Sequence, residues 1–510
     1  MENRKAAARA HRPQSHPAPN QAIVVGGGIS GLLAANDLQA AGFQVSIYDA
    51  ADSWGGCVAS HEVAGVVLDA GAESFATRNT AVADLAAELG LGGNIVTPNP
   101  AGAWVWLPEG AVPLPRTGIL GIPSDLSAPE VRAALGASGV LRAALDAKMP
   151  VTIGTTEEVS SVAELVRARM GRRVLERLVA PVVAGVHSAD PEKLDVDMVA
   201  PGLRAGIREH GSLAAAVAAQ RAQGSKPGSA VGGLAGGMHT LVTALVAGLR
   251  KAGVSMYTGH RIKAVYRGDT EPEQTTKKRY DGGAPAPWIV DWEQGTERGF
   301  AAAKLLVIAT DGPTAVSLLA PELPALEPLA PAPGPDIRLV TLVVDVPQLD
   351  SAPRGTGVLV APETPGIKAK ALTHSTAKWQ WLADSTGPGT HVLRLSYGRA
   401  GTRASDAVRL TPATPREDEL VETALADAST LLGIEVTESD LLGSDIVRWK
   451  GALPFAAVGH QARMAKIHAI AGEAPGLVLT GGWMNGNGLA AVVSGTRRTI
   501  RAAVHTAQRM

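Results

Sequence analysis

The run Ala22-Ile23-Val24-Val25-Gly26-Gly27-Gly28-Ile29-Ser30-Gly31 has a Gly-x-Gly-x-x-Gly spacing that could hold a phosphate without any charged side chain. Gly26 would permit a tight turn, Gly28 would let a pyrophosphate approach the backbone, and Gly31 would let a helix pack close to a strand. The N–H groups of Ile29 and Ser30 would then open that helix and face the phosphates with their partial positive charge. Asp49 closes the next apolar run, where its carboxylate could accept hydrogen bonds from a ribose diol. These features alone do not separate a flavin from a nicotinamide dinucleotide. No Ser-His-Asp arrangement and no pair of carboxylates marks a hydrolytic centre, so no catalytic residue is assigned. Cys57 is the only cysteine, which excludes an intrachain disulfide and a cysteine-built zinc site, and no metal site is expected.

These residues need elements to position them. Ala22–Val25 reads as a buried parallel strand, Ser30–Ala41 as a helix ended by Gly42, and Val45–Tyr48 as a second buried strand, which together make a βαβ opening. Residues 80–89 form an amphipathic helix, and residues 128–187 read as mostly helical, with Ser161 and Glu164 spaced as a capping box. A helix follows Gly236-Gly237 over His239–Ala252, then strand-like pieces at Ser255–Thr258, Lys263–Tyr266 and Leu305–Ala309. Leu339–Val346 and His391–Tyr397 read as strands, and residues 417–433 as a helix. Ala222–Ala230, Gly268–Pro287 and the proline-dense Pro321–Pro335 read as loops or insertions without the apolar content to order themselves by burial.

The chain has 510 residues, 45% of them hydrophobic, which calls for two or three domains. Lys+Arg 47 against Asp+Glu 48 gives no basic field for nucleic acid or an anionic surface. No stretch has the roughly 18 consecutive apolar residues of a membrane-spanning helix. The first 20 residues read as a disordered tail and not as a signal peptide, because no apolar segment follows their basic residues. The expected location is cytoplasmic, with peripheral membrane contact open to the helical region.

Two further motifs resemble the flavin amine oxidase superfamily. Asp52-Ser53-Trp54-Gly55-Gly56-Cys57-Val58-Ala59 is similar to its second glycine motif, and Leu477-Val478-Leu479-Thr480-Gly481-Gly482-Trp483-Met484-Asn485-Gly486-Asn487-Gly488-Leu489 to its closing flavin motif, with a helix over Ala490–Ala507. Within that superfamily, several stretches resemble the protoporphyrinogen/coproporphyrinogen oxidase family. They are Val67–Arg78, read as Asp-x-Gly-x-x-Ser-Phe-x-x-Arg; Leu178–Leu194, read as Pro-x-x-x-Gly-x-x-x-x-Asp-Pro-x-x-Leu; Gly233–Leu241; and Arg448-Trp449, Leu453-Pro454 and Val458-Gly459-His460. The resemblance runs from about Ala22 to Arg501. The family usually carries Lys or Arg where Cys57 stands, and the closing motif aligns only through Gly488 and Leu489.

The resemblance implies a non-covalent FAD, with cofactor contacts at Gly26, Gly28, Ile29, Ser30, Gly31, Asp49, Gly55, Gly56, Gly71, Ala72, Glu73, Ser74, Ile262, Trp483, Gly488 and Leu489. It implies substrate contacts at Arg78, through a propionate, and at Gly185, Val186, His187, Trp449 and Lys450. The implied reaction is oxygen-dependent removal of six electrons from coproporphyrinogen III, giving coproporphyrin III and hydrogen peroxide, with a ferrochelatase as the next enzyme. Protoporphyrinogen IX oxidase and flavin amine oxidase stay open as alternatives. The sole Cys at position 57 excludes a flavin tethered at the usual place in the C-terminal half. The implied fold class is α/β, with a discontinuous Rossmann-like FAD-binding domain (21–90, 226–320 and 471–510), a mainly helical domain (91–225) and a mixed-sheet substrate-binding domain (321–470).

Overall fold

The computed structural model describes residues 20–116, 118–156, 161–187, 189–224, 231–268, 287–362, 364–398, 417–451, 458–486 and 488–508. The expected tail, most of Ala222–Ala230 and Gly268–Pro287, and the Leu453-Pro454 pair lie outside these residues, as does Asn487.

Five short strands form one parallel sheet in the order Ser255–Tyr257, Gln44–Tyr48, Gln21–Val25, Leu305–Ile308, Leu477–Leu479. Both faces of a parallel sheet must be covered, and its strands are accordingly apolar on both sides. On one face, Leu32, Leu33 and Leu38 of the helix Ile29–Ala40 pack with Leu241 and Leu245 of His239–Lys251 and Val493 and Ile500 of Leu489–Ala507. On the other face, Ile23, Val25, Leu306 and Ile308 meet the antiparallel meander Arg261–Arg267, Trp288–Gln294 and Glu297–Ala303, together with the helix His460–Gly472. The βαβ opening and the helices His239–Lys251 and Leu489–Ala507 match the expected elements to within a residue or two at each end, whereas the helix His460–Gly472 is not among the expected elements.

A seven-stranded mixed sheet carries the other wall of the molecule. Its order is Leu441–Lys450, Asp336–Asp345, Thr390–Tyr397, Ala371–His374, Gly357–Val360, Trp104–Leu107, Gly110–Pro113. One pair, Gly357–Val360 with Trp104–Leu107, is parallel and the rest are antiparallel. The hairpin Trp104–Pro113 thus joins this sheet from within the stretch read as mainly helical. Side chains alternate across a sheet, so its two faces differ. Val340, Leu342, Leu393, Leu395 and Leu372 are buried under the helix Glu417–Leu432 through Ala424, Ala428 and Leu431. The opposite face carries Trp449, Val447, Leu339, Ser396, Ala371 and Leu359, which the strand register aligns in adjacent rows.

The proline-dense Pro321–Pro335 orders itself more than its composition suggests. Pro324–Leu329 is a 3-10 turn that buries Leu326 completely in the core beneath the meander. One well-placed leucine on a stiff proline backbone suffices, because prolines lose little entropy on ordering.

Residues 129–224 are mostly helical, as expected. Ser161 and Glu164 form the expected capping box, with both bonds at 3.1 Å. The helix around Pro181 widens into π turns at Leu175–Val179 and Val183–His187. A proline that cannot donate its N–H perturbs the regular ladder in this way. The region is stapled by Arg169, which is 0% exposed against 1% for Asp146. Its guanidinium donates to Asp146 and to the carbonyls of Pro150, Ile153 and Gly211. Among the described residues, no helix is long and apolar enough to cross a membrane.

Two stability predictions follow from buried charge. Arg169→Met strands the Asp146 carboxylate in the core and should cost about 3 kcal/mol or more; an unchanged urea midpoint would refute the staple. His374, fully buried, hydrogen-bonds His391 at 3.0 Å, and burial followed by the neighbouring His391 pushes its pKa down to about 3. The folded pKa lies below that of the unfolded chain, so this stability is complete above the unfolded value of about 6.5 and is lost as pH falls towards 3. At pH 5 the loss should be about 2 kcal/mol. Urea unfolding at pH 7.5 and pH 5 should therefore show a smaller pH difference in His374→Gln than in the native protein.

Candidate functional site

The Gly-rich turn lies where the strand Gln21–Val25 passes into the helix Ile29–Ala40. Gly31 must be glycine, because a Cβ there would overlap the carbonyl oxygen of Gly26. Gly28 is different. A Cβ on it would meet nothing nearer than the Gly55 oxygen at 4.0 Å. The missing side chain therefore leaves room for a ligand and is not needed for packing, and Gly28, as N-cap, leaves the first turn without a side-chain cap. Asp49 braces the turn from below, with its carboxylate accepting from the N–H groups of Gly27 and Ala51.

The turn opens onto a cleft of about 420 Å³. Its floor is Gly28, Ile29 and Ser30, with Gly55, Gly56, Cys57 and Ala72 beside them. Its far end is formed by Trp483, Gly488 and Leu489 of the closing motif, and its outer wall by Trp449 and Lys450 at the end of the seven-stranded sheet. Trp483 is buried and held by a bond from its Nε1–H to the Thr310 carbonyl (3.1 Å), while His460 bonds the Trp483 carbonyl at 3.0 Å. Trp449 both lines the cleft and donates its Nε1–H to the Ala70 carbonyl at 2.9 Å. Residues from four distant parts of the sequence thus meet around one cavity.

A flavin dinucleotide fits this donor set. The glycine turn and the open helix start suit a pyrophosphate, and the start of Leu489–Ala507 at Gly488 opens into the same cleft. Burial raises the pKa of the Cys57 thiol to about 11, although the residue as a whole is exposed along the cleft. The crowding around the sulfur decides its charge state, so the thiol stays protonated at neutral pH and supplies no anion to the cleft.

Other expected contacts stand elsewhere. Gly26 and Gly31 shape the turn without lining the cleft. Ile262 is buried in the core against Val265 and Trp288 and does not line it. Ser74 is half-buried in the loop that holds Glu73. The Glu73 carboxylate accepts from Ser375 Oγ at 2.9 Å and lies 3.8 Å from both Lys378 and Arg394. Burial opposes its charge, but Lys378, Arg394 and hydrogen bonds from Ser375 and Trp379 together hold its pKa below the usual range. Arg78 is exposed in the turn after Phe75–Ala76 and is not among the residues lining the cleft. Gly185 packs into the seven-stranded sheet, where a Cβ would lie 2.5 Å from Leu359 Cδ2. It therefore shares a face of that sheet with Trp449. The side chains of Val186 and His187 lie outside the described residues.

Sequence reasoning did not single out Asp311, Gly312, Pro331, Gly334 and Arg463, which also line the cleft. One signal was present: Asp311 follows a buried strand and caps the next helix through Thr314 N–H at 3.0 Å, as an Asp before Gly-Pro would.

The two roles of glycine can be separated. Gly28→Ala should fold with native thermal stability and be recovered without bound flavin, whereas Gly31→Ala should lose stability through its clash with Gly26. A yellow Gly28→Ala protein with native flavin affinity would refute the assignment of the pyrophosphate site.

Comparison with known proteins follows the same lines. The model of the family described as flavin containing amine oxidoreductase matches residues 29–509. A coproporphyrinogen III oxidase of Mycobacterium leprae is 29% identical, over 94% of this chain and 97% of its own. One from Bacillus subtilis is 25% identical, over 92% and 94%. A solved structure from Exiguobacterium sp. 255-15, carrying a provisional protoporphyrinogen oxidase name, superposes with a TM-score of 0.77 over 96% of this chain and 100% of its own; at 23% identity it speaks for the fold alone. Cleft, motifs and full-length match agree, and the chain belongs to the flavin containing amine oxidoreductase family, with FAD as its cofactor.

Proposed function

We propose that this protein oxidises coproporphyrinogen III to coproporphyrin III. The observation that carries the reading is a cleft whose one wall is glycine backbone fit for FAD and whose other is the Trp449 face of a broad sheet. When bound, FAD supplies the hydride acceptor: three two-electron rounds take six hydrogens from the porphyrinogen, and three O2 leave as hydrogen peroxide. Aromatisation supplies the driving force, so the protein's task is to hold a large macrocycle in place.

The half-buried row Val447, Ser396, Ala371 and Leu359, between Trp449 at one end and Gly185 at the other, offers an extended and largely apolar surface for such a ring. Lys450 and Arg463 at the cleft are cations able to take carboxylates through charge-assisted bonds. Arg78, exposed in the turn after Phe75–Ala76, would add another by its place in the family motif. The full-length similarity to proteins named coproporphyrinogen III oxidase supports the four-carboxylate substrate, and a chelatase inserting iron into the free-base product would be the reaction that consumes it.

The test is porphyrin fluorescence and peroxide release with coproporphyrinogen III and protoporphyrinogen IX in parallel. Faster turnover of coproporphyrinogen III, with KM raised in Arg78→Ala, is the expected result. Preference for protoporphyrinogen IX would replace the substrate and keep the chemistry. A flavin-loaded protein inert on both, and active on amines, would overturn the reading.

A further inference from the structure

The loop Asp69–Glu73 reaches the cleft through Ala72. Ala72 N–H donates to the Cys57 carbonyl at 2.8 Å, and a Cβ on Gly71 would overlap that same carbonyl. Cys57 in turn belongs to the Gly55–Val58 segment, whose Gly55 N–H donates to Gly27 at 2.9 Å. Three backbone segments are therefore joined in order from the glycine turn outwards by main-chain bonds, with the Trp54 ring lying against Gly27. The outermost segment, Asp69–Glu73, takes further hydrogen bonds through its carbonyls from outside the stack.

Those bonds come from the substrate-side sheet. Arg394, on the strand Thr390–Tyr397, donates Nη1 to the Asp69 carbonyl at 3.3 Å and Nη2 to the Gly71 carbonyl. Trp449, two strands away, donates to Ala70 between them. Three successive carbonyls of one loop are thus held by two side chains of one sheet. The Arg394 guanidinium is 14% exposed and would be costly to bury alone; Glu73, 15% exposed, lies 3.8 Å from it, and Ser375 bonds the other Glu73 oxygen. The carboxylate that the family motif places at the cofactor is turned away from the cleft, towards the arginine. On the inner side, the Asp69 carboxylate accepts from the N–H groups of Met238 and His239, both at 2.9 Å, and so caps the helix His239–Lys251 that packs under the dinucleotide sheet.

We propose that Arg394, backed by Glu73, is a positioning residue that clamps the flavin-facing loop Asp69–Glu73 to the substrate-side sheet, so that the flavin wall and the substrate face are held at a set spacing by one guanidinium. This rests on FAD binding and not on which porphyrinogen is oxidised. Arginine suits the task because its rigid fork reaches two carbonyls at once, which a lysine ammonium on a flexible stem does not.

The experiment uses the FAD-loaded full chain. Arg394→Met should release FAD about tenfold faster on dilution, the scale of one charge-assisted hydrogen bond, with shifted and broadened visible flavin bands. Arg394→Lys should fall between it and the native protein. Combined with Trp449→Phe, the effects on FAD release should be less than multiplicative, because both side chains hold the same loop. If Arg394→Met does not fold, Arg394→Lys and Ser375→Ala read the same two signals. A merely structural arginine would lower thermal stability and leave flavin bands and FAD release native, and that result overturns the proposal. Neither signal requires turnover, so failure of the coproporphyrinogen reading would leave this test intact.

Discussion

Backbone has to touch the dinucleotide, and most of the architecture answers that one constraint. A pyrophosphate held by N–H groups needs a turn without side chains. Beside the bare Gly28, the Gly55 N–H bonds the Gly27 carbonyl, and Gly71–Ala72 packs in turn against the Cys57 carbonyl. Each glycine that admits the ligand also removes the interlocking that normally holds neighbouring segments together. The bracing is polar and comes from the periphery: the Asp49 carboxylate below the turn, the Asp69 carboxylate at the start of a helix, and Arg394 and Trp449 from the second sheet. Bonds with a charged partner are the stronger class, at roughly 1.5–3 kcal/mol each.

The same logic explains why the two sheets are built differently. The parallel sheet is apolar on both faces and positions the glycine turn at the end of its strands, where a doubly covered sheet offers a crevice. The seven-stranded sheet spends one face on the helix Glu417–Leu432 and leaves the other partly open. That open face reaches from Trp449 at the cleft to Leu359 beneath Gly185, so a single rigid element connects the cofactor side to the helical region. The helical region has its own internal tie in Arg169, whose burial is tolerable because its donors meet a carboxylate and several carbonyls.

Much was legible in the sequence because the signals were local. Gly26, Gly28 and Gly31 announce a turn whose stereochemistry depends only on neighbouring residues, and the flanking strands and helix follow from apolar spacing over a dozen positions. The capping box at Ser161 and Glu164 and the closing motif through Leu489 are of the same kind. The cofactor followed from three such local signals in order along the chain, and the family from motifs that run nearly its whole length.

What the tertiary structure decided is which distant residues share a surface. Nothing local to Glu73 says that its carboxylate faces Arg394 across more than three hundred positions, and nothing local to Ile262 says that its side chain belongs to the core and not to the cleft. Trp104–Pro113 reads as part of a helical stretch until the parallel partner Gly357–Val360 is known, since strand pairing at such separation leaves no periodicity behind. Gly185 carries the same letter as the cleft glycines, yet the space beside its Cα is taken by Leu359. A glycine's sequence neighbours determine the conformation it can adopt; only the folded chain determines what occupies the space its missing side chain leaves.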